Sequence, residues 1–71
     1  MNKTFNDFLV SLKEIKAKVN IRIYDKIGNV TKWYTADEFS DEDINICSKC
    51  DFEDYRVLTF GDRILILREK E

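Results

Sequence analysis

The stretch Val19–Tyr24, which reads VNIRIY, decides the fold because apolar and polar side chains alternate along it. A period of two places its valine and two isoleucines on the same side of an extended chain, so the sequence predicts a β-strand with one buried face. Asp25–Asn29 follows as a predicted turn, and Val30–Tyr34 returns as the second strand of a hairpin. Because neighbouring residues of a strand face opposite sides, we expect one of Trp33 and Tyr34 in the core and the other outside.

Before this hairpin, apolar residues recur at steps of three and four, which is the pattern of an amphipathic helix. Thr4 is the predicted N-cap, and Asp7 lies in the first turn near the positive end of the helix dipole. The other side of this helix is charged, and we expect it to face solvent. We predict that the helix packs on the sheet through one apolar stripe formed by Phe5, Phe8, Leu9, Leu12, Ile15 and Val19.

After the hairpin, hydroxyl residues precede carboxylates, which is typical of a helix start. We predict a second helix from Asp41 to about Lys49, and then a second hairpin formed by Tyr55–Phe60 and Arg63–Arg68. The element order is αββαββ. The sequence therefore predicts a single α+β domain over residues 1–71, with a four-stranded, mainly antiparallel sheet and the N-terminal helix packed on one face.

Composition limits the possible functions. A chain of 71 residues supports one small domain, and the absence of histidine excludes catalytic centres and metal sites that need an imidazole. It has no phosphate-binding glycine loop, no signal-peptide core and no run near the roughly 18 apolar residues that span a membrane. We therefore predict a non-catalytic, cytoplasmic protein that does not bind membranes.

The net charge of −2 conceals a strong asymmetry. The segment 37–54 holds eight carboxylates and one lysine, whereas the rest of the chain holds eleven bases and six acids. Such a segment is either a solvated, solubilising surface or a surface that docks on a basic partner by imitating the charges of phosphates. On the second interpretation the partner-binding residues are Asp37, Glu38, Asp41, Glu42, Asp43, Asp51, Glu53 and Asp54.

The segment Cys47–Cys50 is a CxxC motif, whose spacing lets two thiolates reach one Zn²⁺ at about 2.3 Å. Two thiolates do not complete a tetrahedral site. Asp43, one helical turn before the motif, is the preferred further ligand, followed by Asp51 and Asp54; water or the cysteines of a second chain are the other candidates. Zinc is thus a predicted cofactor, and the alternatives are small apolar side chains in the core or redox chemistry.

Basic and aromatic residues of the strands offer another interpretation. If they gather on the outer face of the sheet, they could stack on bases as RNA-binding sheets do. The glycine-aromatic signatures of such sheets are absent, so we do not expect direct binding of nucleic acid. The residues concerned are Arg22, Tyr24, Lys32, Arg56 and either Trp33 or Tyr34.

Three features together resemble a known group of proteins. They are the segment 19–28, which reads VNIRIYDKIG, the short carboxylate-rich helix, and the terminal hairpin containing Tyr55–Val57 and Ile64–Leu67. In these features, in its size and in its AT-rich composition, the chain resembles small proteins encoded by phages and prophages of Gram-positive bacteria. That group includes anti-CRISPR inhibitors of Cas9, many of which are acidic single domains and some of which are thought to bind zinc.

This resemblance implies a non-catalytic inhibitor whose acidic segment engages a basic surface of a host nucleic-acid enzyme, such as Cas9 or a Cas9–RNA complex. A protein that forms homo-oligomers, and in particular a homodimer, is the alternative from a different class. It would join its chains through the apolar run Ile64–Leu67 or through two CxxC motifs.

Overall fold

The computed structural model describes residues 4–70 and shows an α+β fold with the predicted order of elements. Both predicted helices and all four predicted strands are present. No helix among these residues has the length and apolar character needed to cross a bilayer. The elements are α1 (Phe5–Ile15), β1 (Val19–Tyr24), β2 (Val30–Ala36), α2 (Asp41–Ser48), β3 (Cys50–Val57) and β4 (Arg63–Glu69).

Helix α1 begins as predicted and ends earlier than its apolar stripe suggested. A capping box closes its first turn. The Thr4 hydroxyl accepts a hydrogen bond of 3.2 Å from the Asp7 amide, and the Thr4 amide donates one of 3.2 Å to the Asp7 carboxylate. The helix stops at Ile15 because Lys16 adopts a left-handed conformation with φ of 58°. Val19, predicted to share the helical stripe, instead begins β1.

The four strands form one sheet in the order β2-β1-β4-β3. The two hairpins, β1 with β2 and β3 with β4, are antiparallel, as local connections require. They are joined through β1 and β4, which run parallel in the centre. The predicted mainly antiparallel sheet is therefore confirmed, with one parallel pair inside it. This order leaves β2 and β3 at opposite edges.

A single core lies between the sheet and the two helices. The alternating side chains of β1 and the corresponding side chains of β4 point toward α1 and α2, so one face of the sheet is covered by helices and the other is not. We call the second one the open face. Of the two neighbouring aromatic residues, Tyr34 is half-buried toward the helices and Trp33 is exposed on the open face. The core residues are Leu9, Leu12, Val19, Ile21, Ile23, Ala36, Phe39, Cys47, Cys50, Leu65 and Leu67.

The prediction for β3 was wrong in its bounds. A strand was expected over Tyr55–Phe60, whereas β3 spans Cys50–Val57 and residues beyond it form the turn. The reason is a bulge: Phe52 pairs with Leu67, but the next paired residue is Asp54. One extra residue breaks the period of two, so the alternation that marks a strand is hidden in the sequence.

Candidate binding surface

Asp43 is the anchor of the turn between β2 and α2. Its side chain is only 9% exposed. Its Oδ1 accepts a hydrogen bond of 2.8 Å from the Tyr34 hydroxyl, and its Oδ2 accepts bonds from the Ser40 amide and hydroxyl at 2.9 and 2.8 Å. The Ser40 hydroxyl in turn caps the amide of Asp43, which completes a capping box. Both oxygens are therefore engaged within the chain, and Asp43 does not belong to the exposed acidic surface.

Four other predicted carboxylates surround this anchor and are exposed. We call Asp37, Glu38, Asp41 and Glu42 the acidic turn. The side chains of Asp37 and Asp41 are 92% and 83% exposed. Two lysines approach them: Lys13 Nζ lies 2.7 Å from Asp41, and Lys18 Nζ lies 4.0 Å from Asp37. Exposed ion pairs of this kind contribute about 0–1 kcal/mol, so they compete weakly with a partner.

The remaining three predicted carboxylates lie elsewhere, in β3. Asp51, Glu53 and Asp54 occupy the first half of that strand, at the edge of the sheet opposite β2. The register also makes β2 and β3 parallel to each other, so the end of β2 and the start of β3 lie at opposite ends of the sheet. The structure thus divides the predicted acidic surface into two separate clusters.

The two cysteines are part of the core. Cys47 is fully buried on α2, and Cys50 is 6% exposed at the start of β3 rather than on the helix. Burial, reinforced by the nearby Cys50 thiol, raises the pKa of Cys47 to about 12. Burial also raises the pKa of Cys50. Both groups are therefore neutral thiols near pH 7, which is the form that packs as a small apolar side chain.

The donor set around these cysteines does not match the predicted zinc site. Asp43 has both oxygens occupied, and within residues 4–70 no group of three or more Cys, Asp or Glu side chains is placed to hold a metal ion. The charged residues that line the cleft bordering Cys50 are Lys32, Lys49, Lys70 and one carboxylate, Glu69, so positive side chains outnumber negative ones there. Zinc binding stays a prediction that rests on the CxxC spacing of Cys47 and Cys50.

The open face carries the basic and aromatic residues considered for nucleic acid, except for Lys32 and Tyr34, which share the register of the helix-covered side. The Arg22 guanidinium lies 4.2 Å from the centre of the Trp33 ring, in a cation–π contact. Arg56 is paired with Asp54 at 2.8 Å. Trp33 and Arg56 therefore have partners within the chain, whereas the buried Nε of Arg22 has no hydrogen-bond partner among the described residues.

Sequence reasoning missed an aromatic cluster that joins α1 to β3. Phe8 contacts the rings of Phe52 and Tyr55 at centroid distances of 5.7 and 5.0 Å, and Phe5 contacts Phe52 at 5.9 Å. Together with Thr4 and Asp54, these four residues line a groove of about 550 Å³, which we call the aromatic groove. Phe5 and Phe8 were identified only as helix core. On β3, Tyr55 was assigned to a strand without a contact to α1, and Phe52 was missed because the bulge hides the first half of that strand.

We compared the chain with protein-family models, with curated proteins and with solved structures, and none of these comparisons finds a match.

Proposed function

We propose that this chain is a non-catalytic binding protein that engages a basic surface of a partner through the acidic turn. One observation carries the proposal. The buried Asp43 is hydrogen-bonded to Tyr34 and Ser40 and so holds the turn between β2 and α2 in place, while the four carboxylates of the acidic turn are exposed to solvent. A charged surface that is already ordered loses less conformational entropy when a partner binds. The buried acid thus positions the exposed ones.

The chemistry of the acidic turn favours a partner rich in arginine and lysine. Several carboxylates close together accelerate the encounter with a basic surface and discriminate against acidic ones. Lys13 and Lys18 do not cancel the negative electrostatic potential of the acidic turn, because their ion pairs are exposed and are readily exchanged for contacts with a partner.

Enzymes that act on nucleic acids present such basic surfaces where they bind phosphates. Occupation of that surface would inhibit the enzyme without any reaction by this chain. The resemblance of the sequence to phage-encoded inhibitors makes Cas9 bound to its guide RNA the specific partner to test, in the cytoplasm of a bacterial host.

The experiment measures binding to guide-loaded Cas9 and cleavage of a target DNA. Two pairs of substitutions, Asp37→Asn with Glu38→Gln and Asp41→Asn with Glu42→Gln, each remove two charges from the acidic turn. The matched control, Glu14→Gln with Glu69→Gln, removes two exposed charges elsewhere. We expect each test pair to weaken binding about tenfold at low salt and the control to weaken it less than about twofold.

Equal losses for test and control pairs would show that only net charge matters and would contradict a defined site. Absence of both binding and inhibition would exclude this enzyme as the partner. Circular dichroism of each variant establishes that the fold is retained.

A further inference from the structure

Strand β3 is an edge strand with two chemically different sides. It pairs with β4 along one side only, so a row of its backbone N–H and C=O groups faces away from the sheet. Such an edge can accept a further strand, and the side chains of the incoming strand then alternate between the two faces of the sheet. The two faces at this edge therefore determine which sequence fits.

On the helix-covered side, the edge borders the aromatic groove. The rings of Phe52 and Tyr55 lie on this side because they pair with the buried residues Leu67 and Leu65. Phe52 remains 48% exposed although it contacts both Phe5 and Phe8. The groove of about 550 Å³ has room for an apolar side chain, and aromatic walls favour such an occupant.

On the open face, the same stretch of β3 carries carboxylates. Asp51 pairs with Arg68 in the register, and Asp54 pairs with Ile66, which places both on the side away from the helices. Glu53 lies 2.7 Å from Arg68 on that side. The hydrogen bond from Arg56 holds the pKa of Asp54 below its usual value, so this carboxylate is ionised at neutral pH. Arg68 and Arg56 pair with Glu53 and Asp54, so the carboxylate that an incoming strand meets on this face is the exposed Asp51, which has no ion pair within residues 4–70.

We propose that the free edge of β3 binds an extended segment of a partner protein in which apolar side chains alternate with lysine or arginine. The apolar side chains enter the aromatic groove, the basic side chains reach Asp51 and its neighbours on the open face, and the backbone extends the sheet. Charge complementarity thus acts on one face and burial of apolar area on the other.

The same features disfavour a second copy of this chain as the occupant. Two β3 strands paired antiparallel about the stretch 51–54 would place carboxylates opposite carboxylates, which is destabilising. The surface is separate from the acidic turn, so this inference does not depend on the proposed function.

The test uses a synthetic seven-residue peptide, Lys-Val-Lys-Phe-Lys-Val-Lys, with both ends blocked. A peptide of the same composition in the order Lys-Lys-Val-Phe-Val-Lys-Lys is the control for alternation. Titration of the ¹⁵N-labelled chain, followed by NMR, reports where each peptide binds. We expect saturable shifts at the amides of Cys50–Val57 and slower hydrogen exchange in this strand with the alternating peptide, and at least about tenfold weaker binding of the control peptide.

Two variants locate the contact. Asp51→Lys reverses an exposed charge, and Phe52→Ala opens the groove; each is expected to weaken binding about tenfold. The matched controls are Glu14→Lys, which reverses an exposed charge on α1 outside both proposed surfaces, and Trp33→Ala on the opposite edge strand; both are expected to have less than about twofold effect. Because Asp51 is exposed, Asp51→Lys tests the proposal even if Phe52→Ala lowers the stability of the fold.

Four results would overturn the inference: no binding of the alternating peptide, equal binding of the control peptide, shifts that map to β2, or unchanged affinity in Asp51→Lys. Concentration-dependent shifts in β3 without peptide, together with a dimer mass, would assign this edge to self-association instead.

Discussion

The hydroxyl of Tyr34 donates a hydrogen bond of 2.8 Å to Oδ1 of Asp43, and this bond joins the edge strand β2 to the first turn of α2. Tyr34 is half-buried and Asp43 is buried, so the bond is shielded from water. Burial and this bond to Asp43 both raise the pKa of Tyr34. The contact therefore links the stability of the domain to the geometry of the acidic turn.

Tyr34→Phe removes that bond while keeping the ring. Since a hydrogen bond to a charged group contributes about 1.5–3 kcal/mol, we expect the free energy of unfolding to fall by about that amount in urea titrations. Tyr24→Phe is the matched control because Tyr24 lies on the open face, where no side-chain hydrogen bond to its hydroxyl is seen among residues 4–70. A loss as large in Tyr24→Phe would contradict the role assigned to Tyr34.

Asp43→Asn tests the same interaction by changing the acceptor of the hydrogen bond instead of the donor. It removes a buried charge that accepts three hydrogen bonds, and we expect a loss of about 2–3 kcal/mol. Asp41→Asn, in the same helical turn but exposed, is expected to cost less than about 1 kcal/mol. Thermal unfolding followed by circular dichroism measures both, and equal losses would show that Asp43 has no special role.

Alkaline pH is expected to destabilise the fold. The folded chain raises the pKa of Cys47 from 9.0 to about 12, chiefly by burial, and burial together with the Asp43 bond raises that of Tyr34. Above pH 9 the unfolded chain therefore releases protons that the folded chain retains. This stabilising contribution is complete below pH 9 and is lost as the pH rises toward 12.

Urea titrations between pH 8 and pH 11 measure this dependence. Cys47→Ala should be less stable at pH 8, because it leaves a cavity, yet its stability should fall less steeply with pH. Tyr34→Phe should also reduce the fall in the free energy of unfolding at the upper end of this pH range. Identical slopes in the original chain and in both variants would contradict this assignment.

The end of α1 provides a stabilising substitution. Lys16 has φ of 58°, a conformation that costs about 1 kcal/mol for residues other than glycine. Its side chain is exposed, so Lys16→Gly loses little packing and is expected to raise the free energy of unfolding by about 0.5–1 kcal/mol. Lys18→Gly, at an exposed position with no such conformation, should destabilise. Urea titration distinguishes the two, and a loss in Lys16→Gly would contradict the argument.

The thiols offer a test of the zinc prediction. Because Cys47 and Cys50 are buried, we expect iodoacetamide to modify the folded chain slowly and the urea-unfolded chain quickly. We also expect a chelator to leave the melting temperature unchanged, since apolar contacts hold this part of the core. Stoichiometric zinc in protein purified without added metal, with a lower melting temperature after chelation, would confirm zinc binding and contradict this expectation.

The elements whose signals are local could be predicted. The period of two in Val19–Tyr24, the period of α1 and the hydroxyl-carboxylate starts at Thr4 and Ser40 each depend on residues within a few positions of one another. Strand β3 was misplaced because its bulge interrupts the period. The charge of Asp43 was recognised, but its burial was not, since the bond partner Tyr34 lies nine residues away on another element.

The amino-acid sequence by itself determined the order of helices and strands and which side of α1 and β1 is apolar, because these properties arise from neighbouring residues. Only the tertiary structure decided that β1 and β4 lie parallel, that β3 is an edge, and that the carboxylates of segment 37–54 divide between the β2–α2 turn with the start of α2 and the edge strand β3. The physical reason is that strand pairing and burial depend on contacts between residues far apart in the chain, which no local pattern of charge or hydropathy encodes.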